Sequence, residues 1–186
     1  MKKNILIIIL LVIAIIIFGG TGYLVYQSKT EKSPVITIQQ KSDAEARNAT
    51  YIIEGEEFTL VNGVSEKEIV PGAASKIITQ YFGNEVRADF NGDGVEDVAL
   101  LLTQNSGGTG TFYYIAAVIS SKAGYKGTNA ILLGDRIAPQ TTEFKNGEII
   151  VNYADRKPDE PMTAIPSVSI SKYFKISDGN LAEIQK

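Results

Sequence analysis

Residues 87–102, RADFNGDGVEDVALLL, place acidic and amide side chains at every second position, set two glycines among them, and then turn abruptly apolar. Calcium, a hard cation, takes oxygen ligands from positions 1, 3 and 5 of a loop, a backbone carbonyl from position 7 and often a further ligand from position 9. Counted from Asp89, these are Asp89, Asn91, Asp93, Val95 through its carbonyl, and Asp97. Gly94 falls at position 6, where the chain must bend sharply and a residue without Cβ is favoured. Three carboxylates this close repel one another unless a cation neutralises them. That weighs against the competing reading, a solvated Asn-Gly/Asp-Gly hairpin turn.

The D-x-N-x-D-G-x-x-D form followed by the apolar VALLL resembles the calcium loops of FG-GAP (integrin-α propeller) repeats and, less closely, those of dockerins. The likeness implies side-chain ligands at Asp89, Asn91, Asp93 and Asp97. It occurs once and so does not imply a propeller, which needs several blades. Nor is the loop a full EF-hand. Position 12 is Leu100, where an EF-hand places a bidentate Glu, and residues 84–90 read as extended rather than as an entering helix. Without that last carboxylate, affinity is expected in the range of about 10⁻⁴–10⁻³ M, suited to a structural clamp outside a cell rather than to a sensor.

Other stretches invite chemistry and lose it on inspection. Asn105 to Gly110 (NSGGTG) lacks the Lys-Ser/Thr of a phosphate loop, and a strand pattern follows where a helix should start, so a hairpin loop is expected. Ser169 and Lys172 match S-x-x-K, but residues three apart on an alternating strand face opposite sides. Asp135-Arg136 and Asp155-Arg156 recur in similar settings, LGDRI and YADRK, and read as structural ion pairs or turn caps ahead of a carboxylate- or sugar-binding pair. The aromatic residues Phe112, Tyr113, Tyr114, Tyr153, Tyr173 and Phe174 would serve as a carbohydrate platform only where exposed, and neighbours on a strand alternate faces.

The elements that must carry this loop follow from the rest of the chain. Lys2 and Lys3 precede an apolar run, unbroken from Ile5 to Phe18 and uncharged to Tyr26, that would span roughly 33 Å as a helix, enough for a bilayer core. A cleaved signal peptide competes with an uncleaved anchor. Only Gly20 and Gly22 offer a cleavage site, whereas Tyr23, Tyr26 and Lys29 resemble interfacial anchors, so residues 1–26 are expected to be a signal anchor with the N-terminus in the cytoplasm. The C-terminal part would then lie outside the cell membrane. Residues 27–49 are polar and read as a linker. Six basic and three acidic residues precede Thr50, leaving 12 basic and 18 acidic ones, a net charge of −6, over residues 50–186. Such a domain suits a hard cation and not nucleic acid, which needs basic surface. The chain has no Cys, His or Trp, which excludes disulfides and leaves zinc without its preferred ligands.

From Thr50 on the pattern is β. Tyr51–Ile53, Phe58–Val61, Val98–Thr103, Thr111–Ser120 and Ala130–Leu133 are rich in β-branched, aromatic and leucine residues. Ala74–Phe82 is ambiguous between strand and helix. Asn146-Gly147 joins Thr142–Lys145 to Glu148–Tyr153 as the clearest hairpin, and Ser167–Ile176 and Leu181–Ile184 follow. Turn signals at roughly 8–12-residue spacing predict an antiparallel sandwich or barrel-like domain over residues 50–186. Several stretches (YIIEG, PGAASK, YFGNE, the calcium-type loop, GGTGTFYY, LGDRIAPQTTE and NYADR with the EPM that follows) resemble a family of uncharacterised bacterial membrane-anchored envelope proteins. The likeness covers most of residues 51–176 and implies one exported domain but no activity. The expectation is a membrane-anchored, extracytoplasmic, calcium-binding β domain without a catalytic role, facing an envelope glycan or protein partner. The alternatives are a glycan- or protein-binding module and a hydrolase of envelope polysaccharide, which needs only two suitably spaced carboxylates.

Overall fold

The computed structural model describes residues 43–186 apart from Ala73. The expected membrane anchor of residues 1–26 lies outside the described residues. Among the described residues no helix is long and apolar enough to cross a membrane.

The described residues form twelve strands: β1 (Thr50–Ile53), β2 (Glu56–Thr59), β3 (Val64–Glu68), β4 (Lys76–Ala88), β5 (Asp97–Asn105), β6 (Phe112–Ser121), β7 (Gly124–Gly127), β8 (Asn129–Asp135), β9 (Ala138–Lys145), β10 (Glu148–Asp155), β11 (Val168–Ser177) and β12 (Asn180–Ile184). Eight form one sheet in the order β2-β1-β8-β6-β5-β4-β3, with β7 paired to the far end of β6; the other four form a sheet ordered β12-β11-β10-β9. The larger sheet curls until its edges approach. Lys67 of β3 reaches Glu56 of β2 at 2.6 Å and sits 5.1 Å from the ring centroid of Phe58, across the narrowing gap.

The middle of the molecule is β5 and β6, and their sequences show why. DVALLLTQN and FYYIAAVISS are near-continuous apolar runs, the signature of strands buried on both faces. Val98, Leu100, Leu102, Tyr114, Ala116 and Val118 point into the curled sheet, against Tyr51, Ile53, Phe58 and Leu60. Ala99, Leu101, Ile115 and Ala117 point outward onto Ile149, Val151, Tyr153, Phe174 and Leu181 of the four-stranded sheet. The chain is thus both of the expected forms at once, a nearly closed barrel-like sheet with a second sheet packed on its outside.

Three features differ from the sequence reading. Pairing is not wholly antiparallel: β1 runs parallel to β8, Ile52 opposite Asn129 and Ile53 opposite Ala130. The ambiguous 74–82 segment belongs to the 13-residue strand β4, which carries register shifts between Tyr81 and Val86. The folded unit also begins earlier than Thr50. Residues 43–46 form one helical turn, and Ala46 and Ala49 are buried in the inner core. Tyr51 Oη donates to the Ala46 carbonyl (2.7 Å), Ser120 Oγ bonds Glu45 (3.1 Å), and Arg47 lies 4.0 Å from the Tyr81 ring centroid. Asp43 pairs with Arg87, which also pairs with Glu85. Residues 43–49, expected in the linker, therefore close one end of the barrel.

Burial of tyrosines sets a pH limit on this fold. Burial raises the phenol pKa of Tyr114 and Tyr153 to about 12, and raises that of fully buried Tyr51 further. The folded state keeps these protons when the unfolded chain, titrating near pH 10, has released them, so stability falls as pH rises above about 10. Each such tyrosine steepens the fall by about 1.4 kcal/mol per pH unit. Urea unfolding at about pH 8 and about pH 11 should show a large drop in midpoint, with the buried rings' share of the tyrosinate absorbance appearing only as the chain unfolds. Tyrosinate absorbance rising to completion before unfolding would contradict the buried placement of these rings.

Candidate metal loop

The sequence-predicted ligands sit between β4 and β5, on an exposed turn with a buried base. Gly92 and Gly94 adopt φ of +80° and +81°, which lets the chain wrap around the side chain of Asp89. Asp89 Oδ1 accepts from the amides of Gly92 (2.7 Å) and Asp93 (3.1 Å), and Oδ2 from that of Gly94 (2.9 Å). Asn91 Oδ1 accepts from Asp93 N (2.9 Å), and Asp93 Oδ1 from Val95 N (2.8 Å). The alternate side chains predicted as ligands thus all fold inward onto the loop's own amides. The amide bonds from Gly94, then Gly92, Asp93 and Asn91, hold the Asp89 carboxyl below its ordinary pKa against the smaller opposing effect of desolvation. Asp89 therefore contributes stability above its unfolded pKa that is lost as pH falls through its folded one.

Asp97 is different in kind. It is fully buried, and its two oxygens bridge two separate pieces of backbone: Oδ2 accepts from Phe90 N (2.9 Å) and Oδ1 from Ser120 N (2.8 Å). β5 begins at this residue, so the carboxylate continues the pairing to β6 where the backbone leaves the ladder. Phe90 also packs its ring 5.0 Å from that of Phe144, pinning the start of the loop to β9. Burial raises the Asp97 pKa, the bonds from Ser120 and Phe90 oppose the rise, and the nearby charges of Asp93 and Asp89 add to it. The sign is opposite to that of Asp89: ionisation of Asp97 weighs on the fold as pH rises through the carboxylate range.

What the loop offers a cation follows from its lone pairs. A carboxylate has about four acceptor sites. Asp89 accepts amides on both oxygens, whereas Asp93 uses one site on Val95 N and faces Asn91 Nδ2 at a long 3.3 Å with its other oxygen. Both oxygens of Asp97 are engaged below. Among the described residues no group of three or more acidic side chains converges as a metal cage. An ion would sit at the loop surface, on Asp89, Asn91 and Asp93 with the Val95 carbonyl, with Asp97 beneath as the anchor of the turn.

The remaining candidates have structural work. In the hairpin loop between β5 and β6, Asn105 Nδ2 donates to Gly110 O (2.7 Å) and Asn105 Oδ1 accepts from Gly107 N (2.7 Å), which closes the loop on itself. Lys172 pairs with Glu183 (3.2 Å), not with Ser169. The two Asp-Arg pairs do meet, at the turn between β8 and β9. Asp135 Oδ2 accepts from Arg136 Nη2 (2.9 Å) and Oδ1 from Thr111 N (2.8 Å). Arg156 crosses from the end of β10 to donate to the carbonyls of Arg136 (3.0 Å) and Ala164 (2.7 Å). Desolvation is the largest single effect on Asp135, but the hydrogen bonds from Arg136 and Thr111 N and the charges of Arg136 and Arg156 together outweigh it, so its pKa is lowered. These pairs cap turns and tie the 156–167 segment to the barrel. Compared with known proteins, the chain matches no family model, no curated protein and no solved structure.

Proposed function

We propose that residues 43–186 form a non-catalytic extracytoplasmic domain whose 89–97 loop takes up calcium with millimolar affinity, held at the cell membrane by the apolar N-terminal segment. The observation that supports this most is the inward fold of Asp89, Asn91 and Asp93 around Gly92 and Gly94, in the order and spacing that calcium loops use. Because the loop's own amides already hold the turn, the ion adds to a formed structure instead of creating one. Its part is to neutralise Asp89 and Asp93 above the buried Asp97 and to stiffen the junction of β4 with β5, fixing whatever surface the domain presents to an envelope glycan or protein.

Thermal unfolding of the full chain in detergent micelles tests this. For a dissociation constant of about 1 mM, about 10 mM calcium stabilises by about 1.4 kcal/mol. That raises Tm by about 3–6 °C for a domain of this size. Asp93→Ala should abolish the calcium increment while leaving Tm in chelator nearly unchanged. A Tm indifferent to calcium up to about 10 mM, or an increment that magnesium reproduces in full, would leave residues 89–97 as a self-capped turn.

A further inference from the structure

The two ends of the barrel differ. Residues 43–49 fill the end near Ser120, the last part of β6. At the opposite end, where β5 finishes and β6 starts, a cavity of about 300 Å³ opens to solvent, lined by Glu54, Ile77, Gln104, Phe112, Tyr114 and Leu132. It adjoins a smaller one of about 150 Å³ that shares Glu54, Ile77 and Gln104. Phe112 and Tyr114 lie on the same face of β6, the face turned into the barrel. Yet Phe112 is 36% and Leu132 43% exposed, whereas Tyr114 is 3% exposed. Inward-facing apolar side chains left open beside a few convergent polar groups mark a ligand site, and barrel mouths are a preferred place for one.

The polar groups are specific in sign. Tyr114 Oη donates to Glu54 Oε1 (3.2 Å), and Gln104 Nε2 donates to Thr79 Oγ1 (3.1 Å). The mouth then presents the Glu54 carboxylate and the Gln104 carbonyl oxygen as acceptors, beside the second Gln104 N–H and the Ser106 hydroxyl, and the charge it offers is negative, that of Glu54. Glu54 is also out of place as a turn residue. It stands at φ +53° in the β1–β2 turn, ahead of Gly55. Turns of this form favour Asn or Asp before Gly, and this chain follows that preference at Asn62-Gly63, Asn146-Gly147 and Asp178-Gly179, whose first residues have φ of +54°, +54° and +51°. At the mouth it instead holds a longer acid in this strained conformation, as it holds Arg136 (φ +49°) in the β8–β9 turn, and strain of this kind gathers at ligand sites.

We propose that this mouth binds a small organic ammonium ion with an apolar body, its charge on Glu54 and Gln104 and its body against Phe112, Leu132 and Ile77. The site is separate from the metal loop and does not depend on calcium. The test is an amide NMR titration of the full chain in detergent micelles with 2-phenylethylammonium, using neutral 2-phenylethanol as the matched control. Expected are saturable shifts confined to residues around 54–55, 104, 112–114 and 132, with the alcohol binding at least about tenfold more weakly. Glu54→Gln should weaken the ammonium about tenfold and leave the alcohol unchanged, while Phe112→Ala weakens both. Glu54→Asn should raise Tm, since it suits the turn, and abolish ammonium binding. Partition into detergent is the same for every variant and cancels in the comparisons between variants; between the two ligands, affinities are referred to the free concentration measured in micelles without protein. Equal binding of the alcohol, an unchanged affinity in Glu54→Gln, or no saturable shift at the mouth up to about 10 mM would overturn the assignment.

Discussion

Asp97→Ala should destabilise the domain by about 2–5 kcal/mol in calcium-free buffer, far more than any other substitution in the acidic loop. Removing the carboxylate strands a buried donor, Ser120 N, and a part-buried one, Phe90 N, and an unsatisfied buried group costs about 1–3 kcal/mol. It also leaves a small void at a fully buried position beneath Val98 and the loop. Asp97→Asn should be only partly better. Its Oδ1 can serve one amide, but its NH₂ group then faces the other, donor against donor. Asp93→Ala gives the contrast, because Asp93 is exposed and holds a single loop amide, so its loss in calcium-free buffer should stay within about 0.5 kcal/mol. Urea unfolding of the three variants in chelator decides the matter. If Asp97→Ala lost less than about 1 kcal/mol, the carboxylate would not be the staple between the loop and β6.

The acid at position 9 shows what a motif hides. Spacing alone places Asp97 beside Asp89 and Asp93 as an equal. What separates it is VALLL: a strand buried on both faces must bury its first residue too, and a buried acid must find donors. Strands whose alternation or apolar content is set by their own burial were legible, including β1, β5, β6, β8, β10, β11 and the Asn146-Gly147 hairpin. β3 (VSEKE) and β7 (GYKG) were not, because they are short edge pieces with almost no buried side chain, held by pairing to β4 and β6. The parallel contact of β1 with β8 joins segments almost eighty positions apart and leaves no local trace. Residues 43–49 (DAEARNA) read as linker because their charge points outward. Their burial rests on two alanines, and alanine declares neither a core nor a surface. Glu54 was invisible for a similar reason, since its interest lies in a backbone angle and in a phenol sixty residues away.

Gly127→Ala tests the β1–β8 contact directly, and its expected cost is of the same order, about 3 kcal/mol or more. Gly127 ends β7 with an ordinary backbone conformation, so conformational freedom is not the reason for glycine there. The reason is proximity: a Cβ would lie 2.3 Å from the Thr50 carbonyl oxygen, 3.0 Å from its carbon and 3.1 Å from the ring of Tyr51. The nearest obstacle is backbone, which cannot rotate aside as a side chain can. Accommodating a methyl group means pushing β1 away from the β7–β8 junction, where Ile52 N donates to Thr128 O (3.2 Å), and lifting Tyr51 out of the inner core. Gly108→Ala is the matched control, with nothing within 4 Å of its Cβ position and no left-handed φ, so it should change stability by less than about 0.5 kcal/mol. Thermal and urea unfolding of both variants measure the difference. Equal stability would mean that β1 is free to move outward, and the parallel strand that closes the curled sheet would then be a loose flap. A large loss confined to Gly127→Ala instead makes this one close approach the latch through which the strand following residues 43–49 is locked to the rest of the barrel.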